Sequence, residues 1–358
     1  MSRRFIFLLV LLALSAAVAP RARAALNGDQ VFLQRGTGAD GADQLTFINH
    51  QTGEALTVDV RGERYTLAGD SVLYFDPSSN ALRQAFPDGS LRAHPFIQPG
   101  PNTRRLDWLL SPDATRIAWT LTDGQPESLT TLTTVAFLNG TNPRPVLNDG
   151  PRNGIRAMPV AFSPDSTILY MDFQPDGIGD FTPYPQYAGL IALDIGTGLW
   201  DYLPDEPGCF CGAGFGAGFF ARLKVNDALT GFDLHLYNFA GQVKQVILAQ
   251  TLRDYTQAGS VLISPDGTQA VYALAQVRDF GRPQQSVRTV FMRADLQALT
   301  QSPLTDPINN YLEPLQWTED NSVVIFTSRQ TDGTWKIYPA EGRLEKVSEA
   351  TLLGTLPG

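Results

Sequence analysis

Short apolar runs separated by turn residues fill the chain, and hardly any stretch carries the 3.6-residue spacing of an amphipathic helix. One unit recurs: apolar residues, a Ser-Pro-Asp turn, then a run of β-branched and aromatic residues. It reads WLLSPDATRIAWTL at 108–121, VAFSPDSTILYMDF at 160–173 and VLISPDGTQAVYAL at 261–274. Weaker copies are LQWTEDNSVVIFTS at 315–328 and YTLAGDSVLYFD at 65–76. The anchor aspartates are Asp70, Asp113, Asp165, Asp266 and Asp320. They return at roughly 40–50 residues or twice that, the period of architectures assembled from repeated small sheets. The wide gap has room for a degenerate copy near Asn226-Asp227.

Behind the copies lie hairpin patterns: LTFINHQTGEALTV (45–58), TVAFLNGTNPRPVL (134–147), LIALDIGTGLWDYL (190–203), LHLYNFAGQVKQVI (234–247) and WKIYPAEGRLEKV (335–347). Gly-containing turns between alternating apolar runs suit paired antiparallel strands. Anchor unit plus hairpin makes four strands, so the pattern predicts an all-β fold, a β-propeller of four-stranded antiparallel blades formed by residues 25–358 as a single domain. Blades are expected near 61–98, 104–148, 155–204, 213–249, 257–305 and 311–348. Residues 25–60 lack an innermost strand, which the tail EATLLGT at 349–355 can supply, joining the two ends of the ring. That gives seven blades, with six as the alternative. The 25 prolines, scattered at turns, argue further against long helices.

Ser111-Pro112-Asp113, Ser163-Pro164-Asp165 and Ser264-Pro265-Asp266-Gly267, each preceding a strand, resemble the blades of the TolB-like group of β-propellers, which is related to WD-repeat proteins and to the propeller of prolyl oligopeptidases. The resemblance covers roughly 60–330 and implies the fold. It also implies an assembly-scaffold role as a weaker possibility, because no α/β segment like that of TolB stands ahead of the pattern. Gly-His and Trp-Asp punctuation of WD repeats is missing, and the lone Trp200-Asp201 sits beyond a hairpin turn.

Proline presets the backbone for a tight turn, and the aspartate accepts hydrogen bonds from nearby backbone N–H groups. Recurrence around a ring marks these aspartates as turn caps rather than metal or catalytic carboxylates. In an up-and-down sheet, turns after the first and third strands share one rim, and the remaining connections share the other. The insertions at 122–131, 172–188, 276–288, 98–104, 148–156, 204–213 and 305–311 all fall on the second rim, where the functional surface is therefore expected.

The richest of these is DFQPDGIGDFTPYPQYA at 172–188. Asp172, Asp176 and Asp180, with Gly177, stand at positions 1, 5, 9 and 6 of a calcium-loop register. They make a candidate Ca²⁺ site, although Gln174 and Pro183 replace ligands an EF-hand requires. Phe181, Tyr184 and Tyr187 offer aromatic faces to a protein or sugar, joined by Arg278, Asp279 and Arg282 from 276–288.

Charge and targeting narrow the function. Arg3 and Arg4, the apolar run from Phe5 to Ala19, and Ala22-Arg23-Ala24 read as a cleaved signal peptide at 1–24, too short to span a bilayer. The protein is thus expected to be exported, periplasmic or extracellular, with no membrane span once cleaved. Losing Arg3, Arg4, Arg21 and Arg23 changes 27 basic and 36 acidic residues to 23 and 36, a net of −13, which argues against nucleic-acid binding. Cys209 and Cys211, the two cysteines, form either a local disulfide or two thiols. His50, His94 and His235 fall in strand or hairpin segments, and no nucleophile elbow or zinc motif occurs. The expectation is a monomeric, non-enzymatic propeller with no cofactor beyond the candidate Ca²⁺, binding a protein, glycan or envelope polymer at the loop-rich rim. The alternative is a hydrolase or lyase acting on carbohydrate or peptide at the same rim.

Overall fold

The computed structural model describes residues 28–356 apart from Arg329. The signal-peptide reading of 1–24 lies outside the described residues. Seven four-stranded antiparallel sheets make up the structure. Blade 1 contains Thr351–Thr355, Asp29–Gln34, Asp43–Asn49 and Ala55–Val60; blade 2, Glu63–Ala68, Ser71–Asp76, Ala81–Ala85 and Leu91–Ala93. Blade 3 contains Thr103–Leu110, Arg116–Gln125, Ser128–Phe137 and Arg144–Arg152; blade 4, Ile155–Phe162, Ile168–Pro175, Leu190–Asp194 and Trp200–Tyr202. Blade 5 contains Ala213–Gly216, Phe219–Val225, Phe232–Asn238 and Val243–Ile247; blade 6, Gln257–Ile263, Gln269–Arg278, Ser286–Asp295 and Thr300–Pro303. Blade 7 contains Leu312–Trp317, Val324–Ser328, Thr334–Tyr338 and Arg343–Ser348.

The core is what makes this a ring. Hydrophobic clusters fill the spaces between successive blades, and another fills the space between blades 7 and 1, where Phe32, Ala350 and Leu352 meet Leu315 and Ile325. A second strand such as Gln269–Arg278 is buried on both faces: Ala270, Tyr272 and Leu274 pack toward blade 5, and Val271, Ala273 and Ala275 toward blade 7. That is why these strands read as nearly unbroken apolar runs, whereas the outermost strands are largely exposed. The C-terminal strand closes the ring as the tail pattern predicts: Gln30 pairs with Thr355, Phe32 with Leu352 and Leu33 with Thr351. No helix among the described residues is long and apolar enough to cross a membrane.

The Ser-Pro-Asp turns are caps. In each full copy the serine hydroxyl donates to the aspartate (Ser111 to Asp113 2.5 Å, Ser163 to Asp165 2.6 Å, Ser264 to Asp266 2.6 Å). The threonine two residues on donates its N–H to the same carboxylate. The serine oxygen in turn accepts the N–H of the first residue of the next strand, at 2.9 Å in all three. These hydrogen bonds hold the carboxyls of Asp113, Asp165 and Asp266 below their ordinary value.

Two expectations are corrected. The supposed loop at 122–131 is mostly ladder and the one at 276–288 is ladder at both ends: Ser128 pairs with Gln125, and Ser286 with Arg278, leaving connections of 126–127 and 279–285. Polar sequence disguised them because these hairpins project beyond the packed core, so their tips face solvent while cross-strand bonds still satisfy the backbone. Nor is Asn226-Asp227 the anchor of blade 5. The turn between its first two strands is Ala217-Gly218, with φ of +46° and +80°, a left-handed pair that closes a two-residue hairpin without a carboxylate cap. Among the described residues, every connection longer than six residues lies on the rim holding the links after second strands and between blades.

Candidate functional site

The connection 176–189 forms a strap across that rim. At its base, Asp172 is fully buried and accepts N–H bonds from Gly189 (2.7 Å) and Ala188 (3.0 Å). The strap pairs with Cys211: the Tyr187 N–H donates to the Cys211 carbonyl at 2.9 Å, and the Cys211 N–H to the Tyr187 carbonyl at 3.3 Å. The Gln186 side chain donates to the Ala258 carbonyl. Tyr184 is 0% exposed, in the cluster between blades 6 and 7, its hydroxyl paired with Thr289. Gly259, on the first strand of blade 6, makes this passage possible, since a Cβ there would stand 2.7 Å from both Tyr184 Cβ and the Pro185 carbonyl. A loop of blade 4 is thus bolted to blade 6.

A buried arginine locks the crossing. The Arg222 side chain pairs with Glu206 at 2.8 Å, both almost wholly out of solvent, and donates to the carbonyls of Tyr187 (2.9 Å), Cys209 (2.9 Å), Cys211 and Gly212 (3.3 Å). Five donors in a planar fork let one side chain satisfy so many buried acceptors. Cys209 and Cys211 are joined as a disulfide within this knot.

The calcium register dissolves into ion pairs. Asp176 is bound by Arg104 and Arg105, each at 2.6 Å, and Arg105 also grips Asp180 at 2.5 Å. Burial pushes the Asp176 carboxyl up, but the two guanidinium groups outweigh it and hold it below its ordinary value. The network continues through Arg156 and Asp107 to Arg64, linking the first strands of blades 2, 3 and 4. With Asp172 occupied by backbone N–H groups, the three aspartates are not brought together, and among the described residues no cluster of three or more His, Cys, Asp or Glu is placed to hold a metal.

Of the aromatic candidates, Phe181 alone is presented to solvent. Tyr184 is a core anchor, because its ring gains more from burial beside Phe291 and Leu312 than from exposure, and Tyr187 is half-buried beside the Cys211 segment. Phe181, at 47% exposure, meets Phe280 of blade 6, at 46%, with ring centroids 6.4 Å apart. The Gln285 side chain donates to the Phe181 carbonyl at 2.9 Å and fixes the pair. Arg278, Asp279 and Arg282 flank Phe280 along the chain, with Asp279 and Arg282 ion-paired at 3.7 Å. Phe280 and Gln285 escaped the sequence reading, although both lie within 276–288. Arg104, Arg105, Arg156 and Arg222 escaped it because their partners lie far along the chain.

No protein-family model matches the sequence, and no curated protein sequence matches it. Solved structures are similar over most of its length. One is an oligogalacturonate lyase in complex with manganese, at 15% identity over 90% of this chain and 86% of that chain, TM-score 0.51. Another, described as a candidate 6-phosphogluconolactonase from Bacteroides fragilis, is 14% identical over 93% of this chain and 97% of that chain, TM-score 0.51. TolB from Acinetobacter baumannii is also similar, at 17% identity over 77% of this chain and 63% of that chain, TM-score 0.42. The likeness at these identities is one of fold. The chain is a seven-bladed β-propeller.

Proposed function

We propose that this protein is an exported propeller that binds a protein, glycan or envelope polymer through its loop-rich rim. The observation that carries the reading is the Phe181–Phe280 pair. Two rings from non-neighbouring blades are held at the surface, nearly half-exposed, by a buried tyrosine and a side-chain amide behind them. Apolar surface left in water costs roughly 25 cal/mol per Å², and a rigidly backed aromatic pair is the kind of anchor that partners cover. Flanking arginine and aspartate side chains supply the polar border such contacts have. Export rests on the leader pattern at 1–24. A propeller fold hosts many activities, so the lyase among the similar structures assigns no reaction here.

The test is retention of the purified protein on immobilised envelope extract and on a glycan array. A Phe181→Ala/Phe280→Ala double variant is expected to lose binding at least ~10-fold, as for truncated interface anchors, while its thermal midpoint stays within a few degrees. Undiminished binding by the double variant refutes the reading.

A further inference from the structure

Beside the aromatic pair lies a cleft of about 570 Å³, formed where the projecting hairpin of blade 6 meets the connection 304–311 leading to blade 7. Its position is set by backbone pairing. Gln276 stands opposite Arg288 and Arg278 opposite Ser286 across the hairpin. An antiparallel bridge between Thr289 and Ile308 draws Asn309 and Tyr311 alongside. Arg278 and Arg288 are both exposed, and among the described residues no carboxylate pairs with either. On the same rim Arg64, Arg104, Arg105 and Arg156 have aspartate partners, whereas Arg61 and Arg253, like these two, pair with no carboxylate among the described residues. No Asp or Glu lines the cleft.

We infer that this cleft binds an acidic saccharide, its carboxylate or sulfate groups on Arg278 and Arg288 and its sugar ring continuing onto Phe181 and Phe280. The inference rests on the binding role of this rim and gives it a ligand class. Two guanidinium groups without counter-ions select an anion, since each forms charge-assisted, fork-shaped hydrogen bonds to carboxylate or sulfate oxygens. The remaining lining selects a sugar. Gln276, Ser286, Asn309 and Tyr311 present amides and hydroxyls that both donate and accept, matching a ring with a hydroxyl on nearly every carbon. Val287 alone is aliphatic there, so the apolar side-chain pockets a peptide would use are missing from the lining. The volume falls within the ~300–1,000 Å³ of sites that enclose small ligands. Gln285 ties the two halves together: it lines the cleft and also holds Phe181 in place.

The experiment is calorimetric titration of the purified protein with four probes: a short oligouronate, the same oligomer methyl-esterified, a sulfated oligosaccharide, and an oligoglutamate of matching charge. Binding of either acidic saccharide is expected, at least ~10-fold tighter than the neutral ester or the oligoglutamate, and weakening as salt is raised. Which of the two binds identifies the acid group. Arg278→Gln/Arg288→Gln is expected to lower affinity at least ~10-fold, with an unchanged melting profile because both side chains are exposed. Equal binding of the esterified oligomer, equal binding of oligoglutamate, or no binding of either acidic saccharide at millimolar concentration overturns the inference. If the acidic saccharides fail while Phe181→Ala/Phe280→Ala still abolishes retention on envelope extract, the ligand class is wrong and the binding role of the rim stands.

Discussion

Asp172 sits fully buried at the foot of the strap, and its carboxyl is pushed up to about 6. Burial disfavours the charge more strongly than the N–H groups of Gly189 and Ala188, with Arg222 nearby, favour it. An unfolded aspartate titrates near ~3.9, so between pH ~4 and ~6 the native state holds more protons than the unfolded chain. Stability contributed by this group therefore falls as pH rises through that window. Asp172→Asn removes the titration. Its stability relative to wild type is expected to rise by roughly 2–3 kcal/mol from pH 4 to pH 7, read by urea unfolding at both values. A constant difference between the two proteins would show that Asp172 does not titrate in this way. Nothing in the sequence marks Asp172 as different from Asp176 and Asp180. The distinction is made by which donors the fold brings to each: backbone N–H groups from the far end of its own loop for one, arginines from blade 3 for the others.

The Ser-Pro-Asp turn is the most local element of the molecule, with every cap bond closed within five residues, and for that reason it was legible from sequence. One feature of it was not. The residue after the aspartate is left-handed in four of the five copies, Ala114 at φ +52°, Ser166 at +56°, Gly267 at +70° and Asn321 at +57°, whereas in the copy at 65–76 the left-handed residue is Gly69, before Asp70. A residue with a Cβ pays ~1–2 kcal/mol for that conformation, against ~0.5–1 kcal/mol of extra chain entropy lost by glycine. Ala114→Gly is accordingly expected to raise stability by about 0.5–1 kcal/mol in a denaturant titration. A loss would mean that the turn is not strained at this position. The projecting hairpins of blades 3 and 6 show the opposite case. Their pairing is set by registers far from the core, so residues such as Arg288 and Gln276, which share the cleft, have no sequence pattern that announces it.

At the scale of the whole ring, closure by Thr351–Thr355 is the decisive contact, since it pairs the last strand with Asp29–Gln34 and completes the clusters on either side of blade 1. A chain ending at Ser348 loses those pairs and leaves a strand edge and apolar surface open. Such a truncation is expected to lower the thermal midpoint by more than ten degrees and to aggregate on size-exclusion chromatography. A monomer with an unchanged midpoint would show that blade 1 is stable without its innermost strand. The repeat and the joining of the ends were determined by sequence alone, because periodic burial between equivalent sheets forces the same pattern on each, while the choice of seven blades over six came from the sheets themselves. Which loop residues turn outward was decided only by tertiary structure. Tyr184 and Phe181 stand three residues apart in one polar loop, yet a pocket between blades 6 and 7 buries the first, and contact with blade 6 holds the second in water. Each placement depends on a partner about a hundred residues away, and only the folded ring brings it near.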